Sequence, residues 1–469
     1  MTARKSANQH LRMLLAEADW TGQQLARAVN AVAAENGVRV QYDRTSVAHW
    51  LSGSMPRPRV RPLAAEAFSR RLRRTITLLD LGWAADTQSA DPDEQQHWPS
   101  DSVTRLAHLC KADADPVQGP RLHWSVYQAG EAAVPRQRTP PFTVGTSRTE
   151  LVPAAAELAS TVLAAGIPFF SRALEVGGSH ARAALAAYLG NDVSLWLQAT
   201  ASCAGCGVLP SETARLLYLL ARMHIDDAHE GLAQQYFRIA FDLVGAAGDT
   251  TTQAIVLRAM SSQAGALRHI RQSLIMAEQA FTLVPEDAPH GVHAFVGSQL
   301  AVARALAGQP FAARTALLRA ETHHRHDMET DNSNAAHDAP AGFHTYGAAA
   351  WHFQRGRTLA VLGERSAAAA AFRTSLAHRH PRSHRARALT LAALTQLLLQ
   401  AGHVEEACAS YRELLDLDPH PRSARTQQAV VDLKRRLRPF SNSRAVKSLL
   451  DQLDQAERHT TVERSRRLA

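Results

Sequence analysis

A helical pattern that repeats about every 39 residues constrains the fold of this chain more than any other feature. Gly363 and Gly402 are 39 residues apart, and so are Phe372 and Tyr411. Each glycine follows an amphipathic stretch and precedes a small residue and then an aromatic one. Glycine accepts the positive φ of a tight turn, and a small residue allows two helices to pack closely. The pattern therefore predicts helical hairpins stacked along the chain.

Weaker copies of this pattern occur upstream, at Gly308 with Ala313 and at Ala233 with Phe237. Such hairpins resemble tetratricopeptide repeats, although the spacing exceeds the usual period of about 34 residues. Alanine and leucine are abundant and aromatic residues make up only 6% of the chain, which favours helix throughout. We predict an all-α fold with an N-terminal helix-turn-helix domain followed by an α-solenoid of divergent tetratricopeptide-like helical hairpins. A plain helical bundle is the alternative for the body.

The stretch 42–59 has the pattern of a short helix followed by a stop. Asp43 can cap this helix by accepting hydrogen bonds from N–H groups of the first turn. One helical face is apolar, with Val47, Trp50 and Leu51. Gly53 and the prolines after it end the helix. The opposite face is polar, as is typical of a DNA recognition helix, although an ordinary amphipathic helix gives the same pattern.

A second capped helix precedes this one. Thr21 and Gln24 have the spacing of a capping box, and the helix that they open extends to about Glu35. The order of these helices, and the phrase 47–53 followed by Pro56, resemble the Cro and phage-repressor type of domain, known as XRE-like regulators. The chain departs from that family in one place, because the link at about 36–42 is longer than the usual tight turn.

The polar residues of this unit predict its contacts with DNA. Residues 1–85 hold thirteen Lys or Arg against six Asp or Glu, an excess that suits a polyanionic partner. Base contacts are predicted for Arg44, Thr45, Ser46 and His49. Phosphate contacts are predicted for Gln23, Gln24, Ser52, Arg57, Arg59, Arg61, Arg70, Arg71, Arg73 and Arg74.

Composition divides the chain into four predicted segments. Residues 1–85 form the helix-turn-helix domain, and residues 86–148 are a linker with weakly patterned sequence and one short helix near 103–110. Residues 149–420 form the helical-repeat domain, and residues 421–469 form basic C-terminal helices. The apolar stripes of that tail either cap the solenoid or join two subunits, and capping is the simpler explanation.

Three markers in the body carry a further resemblance. They are the stretches 177–185 (GGSHARAAL), 231–237 (GLAQQYF) and 259–264 (AMSSQA). In this order, they look like a family of actinomycete regulators with an XRE-type domain and a tetratricopeptide body, associated with control of sporulation and antibiotic production. The chain departs from that family at 222–226, where similar proteins tend to carry a Gly-Trp pair. The resemblance implies a transcriptional regulator of development or secondary metabolism.

Candidate metal ligands are few. Cys203 and Cys206 have the spacing of half a zinc knuckle or of a redox pair, but neither partner cysteines nor a βαβ pattern accompanies them. The stretch 323–327 (HHRHD), with His337 and His344 beyond, lies in an insertion that reads as a polar loop. We predict no bound metal and no cofactor. Because phosphate-binding loops, hydrolase elbows and HExxH motifs are all lacking, we also predict no enzymatic activity.

The sequence thus predicts a cytoplasmic DNA-binding regulator that does not enter a membrane. Its expected partners are double-stranded DNA, a second copy of the chain, and a peptide, small-molecule or protein effector in the repeat groove. Two alternatives stay open. The chain could be a protein-protein interaction adaptor whose N-terminal domain does not regulate promoters, or a DNA-binding protein of plasmid or phage maintenance.

Overall fold

A computed structural model of the chain describes residues 7–36, 38, 40–83, 101–129, 151–200, 208–330, 346–417 and 423–453. These residues form the twenty α-helices named below and a further helical segment at 444–453, and they contain no β-strand. The prediction of an all-α fold is therefore confirmed. Within the same ranges, no helix combines the length and the apolar character that crossing a membrane requires.

The helices before the repeats are α1 (Gln9–Glu17), α2 (Gly22–Glu35), α3 (Arg44–Leu51), α4 (Arg61–Leu72), α5 (Ser102–Ala114), α6 (Gly119–Leu122), α7 (Leu151–Gly177), α8 (Ser179–Tyr188) and α9 (Ser194–Thr200). The remaining helices are α10 (Val208–Asp226), α11 (Glu230–Ala247), α12 (Thr250–Ala266), α13 (Ile270–Leu283), α14 (His290–Leu306), α15 (Pro310–Thr330), α16 (Ala348–Val361), α17 (Arg365–His378), α18 (His384–Ala401), α19 (Val404–Asp416) and α20 (Ala424–Leu437).

The first four helices share one apolar core, which includes the fully buried side chains Leu11, Leu25, Val47 and Phe68. The predicted capping box of α2 and the predicted Asp43 cap of α3 are both present, and the second is also a capping box. Thr21 caps α2 together with Gln24, and Asp43 caps α3 together with Ser46. Since each cap satisfies N–H groups that have no partner inside the helix, it fixes where α2 and α3 begin.

The long link between α2 and α3 is held by a single side chain. Asn30 of α2 donates its amide N–H to the carbonyl oxygen of Tyr42 and accepts from the Tyr42 N–H, both at 2.9 Å. The Tyr42 ring then packs edge-on against Trp50, with ring centroids 5.2 Å apart. The extra residues of the link therefore do not separate α2 from α3.

Five helical hairpins follow, and each turn contains one residue in the left-handed conformation. The hairpins are α10–α11, α12–α13, α14–α15, α16–α17 and α18–α19. Their turn residues are Ala228, Arg268, Gly308, Gly363 and Gly402, with φ between 63° and 83°. In each turn, the next N–H binds the carbonyl five residues earlier, as His229 binds His224 at 2.8 Å. The predicted repeat is confirmed and starts two hairpins before its first glycine turn, Gly308.

The insertion between the third and fourth hairpins begins as a helix. α15 has 21 residues and includes the stretch 323–327, so the prediction of a polar loop there is wrong. The ring of His323 stacks on His293 of the neighbouring helix, with centroids 4.6 Å apart. Cys203, Cys206, His337 and His344 lie outside the described residues.

The C-terminal tail packs on the repeats, as the capping prediction required. Leu433 and Leu437 of α20 and Val446 and Leu449 after it are buried in the core of the last hairpins. α20 also reaches the first hairpin, because Ser423 donates its hydroxyl to the carbonyl oxygen of Asp226 at 3.4 Å. α18 likewise contacts α7. The two ends of the superhelix therefore meet.

Candidate nucleic-acid interface

The beginning of α2 and the beginning of α3 lie side by side. A Cβ atom built on Gly22 would be 3.4 Å from Cγ1 of Val47 and 3.9 Å from Cγ of Arg44. Gln23 and Gln24 follow Gly22 directly, so their side chains start beside the first turn of α3. This places two predicted phosphate contacts next to the predicted base contacts, as a helix-turn-helix reader requires.

The outer face of α3 is open. Arg44, Thr45 and His49 are exposed, whereas Val47 and Trp50 on the inner face are buried. Among the described residues, the side chains of Arg44, Thr45 and His49 have no hydrogen-bond partner. Three of the four residues predicted to contact bases are therefore available to a ligand.

Ser46, the fourth predicted base contact, serves the helix cap instead. Its N–H and its hydroxyl both donate to Oδ1 of Asp43 at 2.8 Å. These hydrogen bonds hold the pKa of Asp43 below its ordinary value, since they favour the ionised carboxylate. Gln24 has a similar capping role, because its Oε1 accepts from the Thr21 N–H at 2.7 Å. Its amide nitrogen has no hydrogen bond among the described residues.

The basic segment after α3 is only partly available. Arg57 is exposed and has no hydrogen bond or ion pair within the described ranges. Arg59 lies over the ring of Trp124, 4.8 Å from its centroid. Arg61 donates from Nε to the Pro56 carbonyl at 3.1 Å. Ser52 is exposed, but its hydroxyl donates to the His49 carbonyl at 2.8 Å.

Arg70 does not lie beside the beginning of α3, which corrects the sequence analysis, and Arg71 and Arg74 are held by contacts inside the protein. Arg70 is half-buried between Glu66 and Glu35, at 2.8 and 2.5 Å. Arg71 donates to the carbonyl oxygen of Ala18 at 2.8 Å, and Arg74 pairs with Glu17 at 2.7 Å. Arg73 occupies the left-handed C-cap of α4.

The partners of these arginines explain the correction. Glu17 and Ala18 lie at the end of α1, and Glu35 is the last residue of α2. Since α2 has 14 residues, its end is about 20 Å from its beginning. Arg70 is therefore removed from the set of predicted phosphate contacts. Arg71 and Arg74 bind the end of α1, four residues before α2 begins, and they stay predicted contacts that would have to exchange an intramolecular partner.

The same arginine-rich end docks on the repeat body. Nε2 of His269, at the second hairpin turn, lies 2.6 Å from Oε1 of Glu66, and both side chains are buried. The Tyr127 ring stacks on His269 with centroids 5.1 Å apart. Thr75 and Gln272 both donate to the Ala129 carbonyl, at 3.1 and 2.8 Å. The N-terminal helices are thus joined to the body through residues 123–129, which we call the strap.

A cluster of histidines anchors the strap to the first hairpin. Ring nitrogens of His123, His224 and His229 lie within 4.8 Å of one another. Asp113 binds Nε2 of His224 at 2.8 Å, and Arg182 lies 3.0 Å from Nε2 of His123. Burial and the neighbouring His224 lower the pKa of His229 to about 2, so it is neutral at pH 7. Neutral imidazoles could hold a metal, but the guanidinium beside His123 favours a hydrogen-bonded network.

The sequence analysis missed this cluster because its members are far apart in the chain. His123 is 101 residues before His224. α5, which supplies Asp113, lies in the segment predicted to be a linker, yet its Leu106 and Leu109 are fully buried in the core of the body. Two leucines three residues apart near 103–110 were the sequence signal that this helix buries one face.

Comparison with known families gives one match, which covers the N-terminal helices. Residues 11–84 match the family model described as the SP15 N-terminal domain. The matched range contains α1 to α4 and the residues predicted to contact DNA. The search of curated proteins returned no match.

Proposed function

We propose that this chain is a DNA-binding transcriptional regulator that docks α2 and α3 on duplex DNA. The observation that carries the proposal is the outer face of α3, where Arg44, Thr45 and His49 are exposed and unpartnered beside the start of α2. Arginine and histidine side chains on such a helix can read base edges in the major groove. The resemblance to actinomycete regulators favours target genes of development or secondary metabolism.

Affinity in this proposal comes from a smaller basic set than the sequence predicted. Arg57 is free to bind a phosphate, and Arg59 and Arg61 can do so by exchanging one weak intramolecular contact each. Gln23 and Gln24 supply amide donors at the start of α2. Phosphate contacts of this kind fix the position of the protein on DNA without reading its sequence.

The body provides a candidate surface for dimerisation. Val162, Phe169 and Val176 are spaced by seven residues along α7 and are exposed, as is Leu158. Apolar residues at this spacing form one stripe that a second helix can cover. A dimer would hold two readers about 34 Å apart, the length of one turn of DNA. We infer that the repeat body sets this separation and that an effector alters it.

Replacement of Arg57 tests the DNA-binding surface. We expect Arg57→Ala to weaken binding to all duplexes alike and to reduce the slope of log K against log salt by about one, the value for one lost phosphate contact. Fluorescence anisotropy at four salt concentrations measures this slope. Arg365→Ala is the matched control, because Arg365 is an exposed arginine of α17 in the repeat body, outside the N-terminal helices, and it should leave the slope unchanged. Equal effects of both variants would refute the proposed interface.

A further inference from the structure

The first helices of the hairpins present arginines on one face. In each hairpin we count positions back from the turn residue in the left-handed conformation. Ten positions back lie Tyr218 in the first hairpin and Arg258 in the second. Six positions back lie Arg222 in the first hairpin and Arg357 in the fourth. Positions four residues apart share a helical face. Because α12 packs on α14 and α14 on α16, these equivalent positions line one continuous inner face of the superhelix.

Closure of the superhelix brings three more arginines to this face. Arg379 follows α17, Arg385 lies in α18 and Arg425 lies in α20, and α18 and α20 contact α7 and α10. We call Arg222, Arg258, Arg357, Arg379, Arg385 and Arg425 the arginine cluster. Its members come from both ends of the repeat array, and we call the inner face that they share the recess. Arg258 is buried there, Arg425 is exposed and the other four are partly exposed.

One of these six guanidinium groups has an acidic partner. Arg385 binds the buried carboxylate of Asp226, with Nη2 to Oδ1 at 2.6 Å. The other five form no ion pair among the described residues, although, against the effect of burial, Tyr218, Asp226 and Glu175 raise the pKa of Arg222. Arg222 donates to the Tyr218 hydroxyl at 3.3 Å, Arg357 to Oε1 of Gln354 at 3.0 Å and Arg379 to the Thr390 hydroxyl at 3.2 Å. Arg425 has no hydrogen bond.

Arg258 is the clearest case of an uncompensated charge. It is 91% buried, its guanidinium lies 4.0 Å from the centroid of the Phe295 ring, and its Nε atom is buried without a hydrogen-bond partner. Buried guanidinium groups are normally paired with carboxylate or phosphate groups, because removing a charge from water without a partner is costly. Arg258 is therefore a buried cation without a carboxylate or phosphate partner among the described residues.

The pKa shifts of Arg357 and Tyr218 agree with an excess of positive charge at this face. Burial, together with the charges of Arg425 and Arg258, lowers the pKa of Arg357 to about 10. Burial alone would raise the pKa of the Tyr218 hydroxyl, yet the charges of Arg222 and Arg258 bring it below its ordinary value. Glu230, a neighbouring acid, has its pKa raised to about 7 by burial, so it is only partly ionised at neutral pH and offsets only part of the positive charge.

We propose that the arginine cluster binds a small, multiply charged anion that carries phosphate or carboxylate groups. A guanidinium group forms paired hydrogen bonds with either of these groups, and several guanidiniums in one recess favour a ligand with several negative charges. The proposal names the effector class for the proposed regulator. Because binding is measured on the protein without DNA, its failure is distinct from failure of the DNA-binding proposal.

Thermal unfolding of the full chain in chloride buffer tests the site. Pyrophosphate and citrate serve as the phosphate and carboxylate probes, each at matched ionic strength. We expect one of them, at a hundred-fold excess over its Kd, to raise the Tm of the body by about 5 °C. Arg357→Met and Arg258→Met should abolish this rise. They should also raise the Tm in chloride alone, since each removes an uncompensated charge.

Arg365→Met is the matched control, because Arg365 begins α17 on the exposed side of the same hairpin. It should change neither the Tm nor its response to anions, and Arg57→Ala should keep the full response. Several results would overturn the proposal: no rise with either probe, a rise that persists in both methionine variants, or a lower Tm of both variants in chloride. If only an acidic peptide raised the Tm, and neither pyrophosphate nor citrate did, the proposal of a small anion would be wrong.

Discussion

Trp50→Ala is expected to unfold the N-terminal helices and to abolish DNA binding. The Trp50 ring is 96% buried and packs edge-on against Tyr42 and Trp83, with centroids 5.2 and 6.0 Å apart. Loss of a buried tryptophan costs about 3–5 kcal/mol, which is a large part of the stability of so small a core. Urea unfolding followed by circular dichroism measures the change.

Trp124→Ala is the control for this variant. Trp124 is 40% exposed, and its main described contact is with the Arg59 guanidinium. We expect a cost below about 1 kcal/mol, the range of an exposed cation–π contact. If Trp50→Ala melted and bound DNA as the wild type does, α3 would have to be rotated relative to its position here.

Glu66→Ala should release the N-terminal helices from the repeat body. Glu66 accepts hydrogen bonds from Nε of Arg70 at 2.8 Å and from Nε2 of His269 at 2.6 Å, and its side chain is 97% buried. Removing one member of a buried charged network leaves the others without partners and costs about 3–5 kcal/mol. We expect a lower unfolding midpoint in urea and faster hydrogen exchange in α4 and in the strap.

The exposed pair of Glu17 with Arg74 provides the comparison. Both side chains are nearly half exposed, at 46% and 48%. A surface ion pair contributes about 0–1 kcal/mol, so Glu17→Ala should have little effect. A Glu66→Ala protein as stable as the Glu17→Ala protein would show that the Glu66–His269 contact does not hold the two parts together.

The features that the sequence predicted correctly are those encoded by neighbouring residues. Thr21 and Gln24 are a capping pair three residues apart, Asp43 directly precedes the helix that it caps, and both caps form. The turns at Gly363 and Gly402 could be predicted because glycine accepts a positive φ, and both residues have φ of 83°. The helical stripe of Val47 and Trp50 is likewise a local pattern, and both side chains are buried.

Features that depend on long-range packing could not be predicted in this way. The arginines of α4 looked available because Glu17 and Glu35, which bind Arg74 and Arg70, are 57 and 35 residues away. The first two hairpin turns were hidden because Ala228 and Arg268 replace glycine there. The inner face of the repeats was also hidden, since Arg258 and Arg357 become neighbours only when the hairpins stack.

Selection of bound sequences from a pool of randomised duplexes tests the central claim most directly. The wild-type protein should enrich one short motif, in inverted copies about one helical turn apart if the body dimerises. Arg44→Ala and His49→Ala should each relax the motif at one or two base pairs, with a loss of about 1–3 kcal/mol of discrimination for a good bidentate contact. A motif that is identical in the wild type and both variants, or no enrichment by a folded wild-type protein, would contradict the account.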